Sequence, residues 1–255
     1  MKRQRLQNGF SLAEILIAIG IMTIGLLFVA GVFPVAIHYS TVMTERTIAA
    51  VVADEAFAKI HLYGVSLTDA DWTNFNVLYE TVWTGSDTGT ISFDEFAYPS
   101  TTDVGYEYKN YFWTAICRRL NYNNVQVTVF VCRKTNRTQM YPNPVPNAGD
   151  IDRPRAYRVT VNVGAIADEL VLVDDATTGY NEISFINDGY TIVDNETGAI
   201  YRVLERYASD NEVIKLDRDI EWDTTKVSGS FWVVPPAVGG SRNTCIGVFQ
   251  RVIRF

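Results

Sequence analysis

The sequence predicts an α+β protein: a long N-terminal transmembrane and amphipathic helix packed on an antiparallel β-sheet, followed by a β-rich C-terminal region, either a small barrel or a sheet. Three observations predict it. The 23 residues from Ile15 to Ile37 carry no charge. Apolar residues then recur at helical spacing, and beyond residue 110 the chain breaks into short β-like runs separated by turn residues.

The apolar run is about 34 Å long as a helix, enough to cross a hydrocarbon core of roughly 30 Å with some tilt. Lys2, Arg3 and Arg5 precede it with no acid among the first nine residues, which places the N-terminus in the cytoplasm and exports the remainder. The expected topology is single-pass. Glu14 is the anomaly, because a carboxylate at the edge of an apolar segment is unfavourable and calls for a partner. It can snorkel to the headgroups and complement the helix macrodipole. If the chain is cut between Gly9 and Phe10, the new α-amino group of Phe10 lies four residues away on the same helix face. A neighbouring copy then brings that cation to this anion and sets subunit register.

A basic leader, the run Gly9-Phe10-Ser11-Leu12-Ala13-Glu14 and an apolar helix together resemble the class III signal of type IV pilins and type II secretion pseudopilins. The resemblance covers about the first 35 residues, and Ala13 departs from the bulkier or Thr/Ile-like residue often found there. Ile24-Gly25-Leu26-Leu27 is similar to the minor pilins called PilV. The resemblance implies cleavage after Gly9 and methylation of Phe10 by prepilin peptidase, and assembly guided by Glu14. Its implied partners are that peptidase, other pilin or pseudopilin subunits, the inner-membrane assembly platform and membrane lipid. The implied location is the bacterial inner membrane with a periplasmic C-terminal domain, then a pilus or pseudopilus. A membrane-anchored adhesive or binding protein that never enters a filament shares this topology. A secretory signal cut near Val29-Ala30-Gly31 fits less well, because the apolar run is too long and Glu14 sits where such signals avoid charge.

The helix continues past the membrane run. Ala49, Val52, Ala53, Ala56, Phe57 and Ile60 form an apolar stripe, giving one helix from near Phe10 to near Tyr63. Pro34 removes a backbone hydrogen bond and marks a kink, and Gly20, Gly25 and Gly31 weaken the segment and permit close helix contact. Residues 64 to 108 read as an irregular connection with short strands.

Two β-like runs between Asn110 and Lys134 flank Asn121-Tyr122-Asn123-Asn124. A four-residue loop there sets Leu120 opposite Val125, so that Phe112, Ile116 and Leu120 share the helix-facing side with Val125, Val127, Val129 and Val131. In that register Cys132 lies across from Trp113, about 13 Å from the partner of Cys117, too far for a disulfide. A Cys117–Cys132 bridge needs a register change, and a bridge to Cys245 ranks below it. Export permits disulfides, and three cysteines leave at least one unpaired.

The loop-like stretch from Gln139 to Arg155 precedes Tyr157–Val163, a strand expected to complete the first sheet. Leu170–Val173, Glu182–Ile186, Tyr190–Val193, Ala199–Leu204, Val213–Leu216, Phe231–Val234 and Ile246–Ile253 are further strand candidates, with Asp194–Gly198 as a hairpin connection. The expected organisation is a leader at 1–9, a helix at 10–63 with its membrane part at about 10–37, a pilin-like head at 64–164 and an appended β-module at 165–255.

No catalytic constellation emerges. The two histidines, His38 and His61, both fall on the helix, and no zinc, nucleotide or nucleophile-elbow motif is present. Asp150/Asp152, Asp174/Asp175 and Asp194/Glu196 read as acidic turns without an EF-hand pattern. No cofactor or metal is implied. Loss of the leader takes the formal charge from −7 to −10, which argues against direct nucleic-acid binding through a basic patch.

Overall fold

The computed structural model describes residues 11–64, 75–77, 93–101, 103–121, 123–145, 148–222, 225–240 and 242–255. The chain divides into two compact units, Met1–Thr47 and Ile48–Phe255. One helix, α1 (Leu12–Tyr63), belongs partly to each and runs unbroken through Pro34. It stops at Gly64, whose φ of 76° suits the C-terminal cap and whose N–H donates to the Ile60 carbonyl at 3.0 Å.

The strands are β1 (Asn76–Val77), β2 (Ala97–Tyr98), β3 (Tyr111–Arg119), β4 (Asn124–Arg133), β5 (Tyr157–Val163), β6 (Glu169–Val173), β7 (Thr191–Asp194), β8 (Ile200–Arg206), β9 (Val213–Leu216), β10 (Ser228–Val233) and β11 (Cys245–Arg254). They make an antiparallel sheet in the order β1-β3-β4-β11, with β2 also on β3, and a closed barrel in the order β10-β5-β6-β9-β8-β7.

The central strands β3 and β4 are covered on both faces. On one side the stripe Ala49, Val52, Ala53, Ala56, Phe57 and Ile60 packs on Trp113, Ala115, Cys117 and the alternate valines 125, 127, 129 and 131. Each fully buried valine, isoleucine or phenylalanine here contributes about 1.5–3 kcal/mol. Lys59 locks the edge of this layer: its Nζ sits 3.0 Å from both Glu55 and Glu95 carboxylates and donates to the Glu95 carbonyl at 2.8 Å. The Trp113 indole N–H donates to that same carbonyl at 3.0 Å. On the other side Ile116, Phe130 and Cys132 meet Ala156, Val193, Trp232 and Val234 from the barrel region.

The β3–β4 register differs from expectation by one residue. Arg119, not Leu120, faces Val125, and Ile116 faces Thr128. Asn121 shortens the turn, its Oδ1 accepting the N–H groups of Asn123 and Asn124 at 3.1 and 2.9 Å. A one-residue slip exchanges the faces, so Phe112 and Ile116 turn away from the helix and Trp113 and Cys117 turn toward it. Leu120 is 45% exposed.

Two strands sit elsewhere than their order in the chain suggested. Tyr157–Val163 belongs to the barrel, pairing with β10 and β6. Its inward Tyr157, Val159 and Val161 alternate with outward Arg158, Thr160 and Asn162, a polar face that suits a barrel wall better than a sheet covered on both sides. Ile246–Ile253 lies in β11 and joins the first sheet beside β4. Its Phe249 and Ile253 pack toward the helix and its Val248 toward the barrel. Glu182–Ile186 is no strand; Glu182–Phe185 forms a 3-10 turn. The Asp194–Gly198 hairpin does connect β7 to β8 as expected.

Candidate processing and assembly site

Ser11 opens α1 as its cap. The Glu14 N–H donates to the Ser11 hydroxyl at 3.2 Å and to its carbonyl at 3.1 Å, and Ile15 donates to that carbonyl at 3.2 Å. Ser11-Leu12-Ala13-Glu14 thus has capping-box spacing, with Glu14 at the third helical position, where a carboxylate complements the positive end of the macrodipole. The sequence reading missed Ser11, although the S-x-x-E spacing was the signal for it. Gly9 and Phe10 lie outside the described residues.

Glu14 is exposed at the helix start. Pro34 lies 20 residues on, about 30 Å along the axis, so the two are separate features at opposite ends of the apolar segment. Beside Pro34 the small side chain of Ala30 leaves an apolar groove lined by Leu26, Val29, Phe33 and Ile37. A Cβ placed on Gly20, Gly25 or Gly31 meets no other atom within 4 Å. These glycines therefore serve no contact within the described chain, and their smallness is free to serve a packed neighbour.

The remaining candidates are structural. His61 stacks on Phe255 with ring centroids 6.0 Å apart, and His38 meets the adjacent Tyr39 edge-on. Asp150 and Asp152 accept hydrogen bonds from the Tyr180 and Tyr106 hydroxyls. Asp174 accepts the Glu182 N–H at 2.9 Å, and Asp175 holds the Thr177 hydroxyl and N–H. Asp194 accepts the N–H groups of Glu196 and Thr197 and the Thr197 hydroxyl, closing the β7–β8 turn. Among the described residues no three His, Cys, Asp or Glu side chains converge as a metal site.

One concavity on the barrel is lined by Tyr157, Arg158, Thr160, Asp175, Thr178, Glu182 and Trp232. Glu182 is its buried acid, 2% exposed, and accepts the Tyr157 hydroxyl at 3.0 Å. Burial raises the Glu182 carboxyl above the usual range, against the pull of its hydroxyl donors, and pushes the Tyr157 phenol up to about 12. An acid held near its proton by burial suits a packing role.

The model of the prokaryotic N-terminal methylation motif matches residues 4–30. The chain therefore carries a class III prepilin signal of the type IV pilin and pseudopilin kind. No curated protein and no solved structure matches the chain.

Proposed function

We propose that this chain is a minor pilin or pseudopilin, a structural and non-enzymatic subunit. Prepilin peptidase cuts it between Gly9 and Phe10 and methylates the Phe10 amine, and the mature protein enters a type IV pilus or type II secretion pseudopilus. The observation that carries the reading is the match of the methylation motif to residues 4–30, directly at the start of a helix long and apolar enough to cross a membrane.

The physics of the helix start supports it. Ser11 ties down the first turn, so Glu14 is presented at a fixed height at one end of the apolar segment. Its carboxylate then meets the α-amine of a neighbouring Phe10, an ion pair that low dielectric strengthens and that sets axial register. The glycines and the groove beside Pro34 give the helix of a second subunit room to approach, with Pro34 as the site of local bending. The exported part faces the periplasm, and the assembly platform of the inner membrane adds subunits from the lipid.

The test separates processing from assembly. Glu14→Ala makes the helix start more apolar, so membrane insertion and leader removal proceed as in the wild type, while the sheared-filament fraction loses the protein. Wild-type amounts of Glu14→Ala in filaments would remove the register role and with it the assembly reading.

A further inference from the structure

The chain leaves the first sheet at Arg133, builds the barrel between Tyr157 and Val233, and returns to the same sheet at Cys245. At the point of departure and return two cysteines face each other. Cys132 on β4 and Cys245 on β11 are Cα partners in the antiparallel register, next to a bulge of β11 between Cys245 and Gly247. The Arg133 N–H donates to the Thr244 carbonyl at 2.8 Å, which makes the next pair along, Cys132 and Cys245, a non-hydrogen-bonded pair. In such pairs the Cα atoms approach to about 4.5 Å and side chains on one face are closest. That separation lies inside the roughly 4.4–6.8 Å range that a disulfide spans.

Both side chains pack into the layer between the sheet and the barrel, and the two thiols lie within hydrogen-bonding reach of each other. Both are free thiols in this structure, as is Cys117. Cys117 sits on the opposite face of the sheet, buried against the helix and opposite Val127. The one-residue correction in the β3–β4 register therefore rules out Cys117 as a partner for Cys132.

We propose that Cys132 and Cys245 are a disulfide-forming pair that staples the two stems of the barrel where they join the first sheet, closed by exchange with a disulfide-bearing oxidant outside the cytoplasm. The compartment in this inference rests on the export reading above. Cys245 is half-buried, whereas Cys132 is fully buried, its thiol raised by burial and then by Cys245. Cys245 is accordingly the entry point. It loses its proton to solvent, and its thiolate attacks one sulfur of the oxidant, forming a mixed disulfide and expelling one oxidant thiol. Cys132 then loses its proton and attacks the Cys245 sulfur, expelling the second oxidant thiol. The protein thiols give up two electrons, and the oxidant disulfide takes them as two thiols.

The bond would close a loop that holds the whole barrel. Cross-links around long loops restrict the unfolded chain most. Here the constraint falls on β4 and β11, the strands from which the chain departs for the barrel and to which it returns.

The experiment uses the full chain extracted in detergent. The reduced protein is equilibrated with glutathione disulfide, then unfolded and labelled with a mass-tagged maleimide. One label after oxidation and three after reduction are expected, with the tryptic peptides 120–133 and 243–251 joined. Cys117→Ser should retain the joined peptides, and Cys245→Ser should lose them. The wild type should also lose thermal stability on reduction, whereas Cys245→Ser should not. Three labels after oxidation, or peptide 110–118 in the linkage, would overturn the pairing. The same labelling on protein taken directly from cells tests the compartment separately: a pair that closes with glutathione disulfide but is found open in cells contradicts export and leaves the pairing intact.

Discussion

The indole N–H of Trp232 donates to Asn195 Oδ1 at 2.7 Å, buried between the barrel and the first sheet. Trp232 comes from β10 and Asn195 from the β7–β8 turn, and the Asn195 carbonyl also accepts the Phe75 N–H at 3.3 Å. One residue, through its side chain and its backbone carbonyl, thus ties the barrel wall to the segment that enters β1. Asn195→Ala leaves the buried indole N–H without its partner, which costs about 1–3 kcal/mol. Urea unfolding of the purified chain should show that loss. An unchanged midpoint would mean that the Trp232–Asn195 side-chain bond does not hold this junction.

Gly198 makes the same junction possible at the other side of the turn. Its φ is 74°, and an added Cβ would lie 2.6 Å from the Phe75 ring and 2.8 Å from the Gln126 side-chain nitrogen. Its carbonyl accepts from Gln250 Nε2 at 2.9 Å, and Gln250 also donates to the Thr128 hydroxyl. Gly198→Ala should cost about 1–3 kcal/mol from the backbone alone and more from the clash. Gly198→Asn tolerates the backbone better but keeps the clash, so a comparable loss in both variants assigns the effect to the contact with Phe75. Wild-type stability in Gly198→Ala would refute the close approach.

Glu182 gives the barrel a pH dependence of known sign. Burial raises its folded-state carboxyl, with Tyr157, Thr178, Asp174 and Asp175 facing it. The folded chain holds the proton where the unfolded chain has released it. Its contribution to stability is therefore complete below the ordinary glutamate value of about 4.3 and is lost as pH rises through the folded value. Glu182→Gln removes the titration and keeps an acceptor for Tyr157. The variant should gain on the wild type in denaturant midpoints as pH rises from the ordinary glutamate value through the raised folded value. Parallel curves would contradict the burial of this acid.

Truncation after Val163 should destroy the fold. It deletes β11, whose Phe249 and Ile253 pack on the helix-facing core, and leaves the β4 edge unpaired. It also leaves β5 without either barrel neighbour. Degradation of the truncated form in cells is expected. A stable, processed, truncated protein would show that the helix and the strands β1 to β4 suffice.

What the sequence disclosed and what it hid have separate physical causes. The helix was legible because its stripe Ala49, Val52, Ala53, Ala56, Phe57 and Ile60 repeats with a period that only a helix satisfies, and all six are buried. The barrel hairpin at Asp194–Gly198 was legible from turn chemistry. Strand membership was not, because β11 and β5 are chosen by pairing partners far away in the chain, and no local pattern records them. The β3–β4 register failed on one residue: the valines of β4 face the helix as expected, but Tyr111 to Cys117 on β3 carries apolar side chains on both faces, so alternation could not fix which of them joins those valines, and the decision fell to the Asn121 side chain. That single shift also moved Cys132 from beside Trp113 to beside Phe112. Of the N-terminal site, Glu14 is legible as a charge beside an apolar run, whereas the capping role of Ser11 depends on where the helix starts, which the apolar run alone does not set.

Prepilin processing leaves a chemical mark that can be weighed. In cells with active prepilin peptidase, the membrane-extracted protein should begin at Phe10 and carry one methyl group on its α-amine, and Gly9→Val should retain the leader because the added side chain obstructs the residue before the cut. Mass spectrometry of the intact N-terminus measures both. A wild-type chain that still begins at Met1 in those cells would contradict the pilin-type reading.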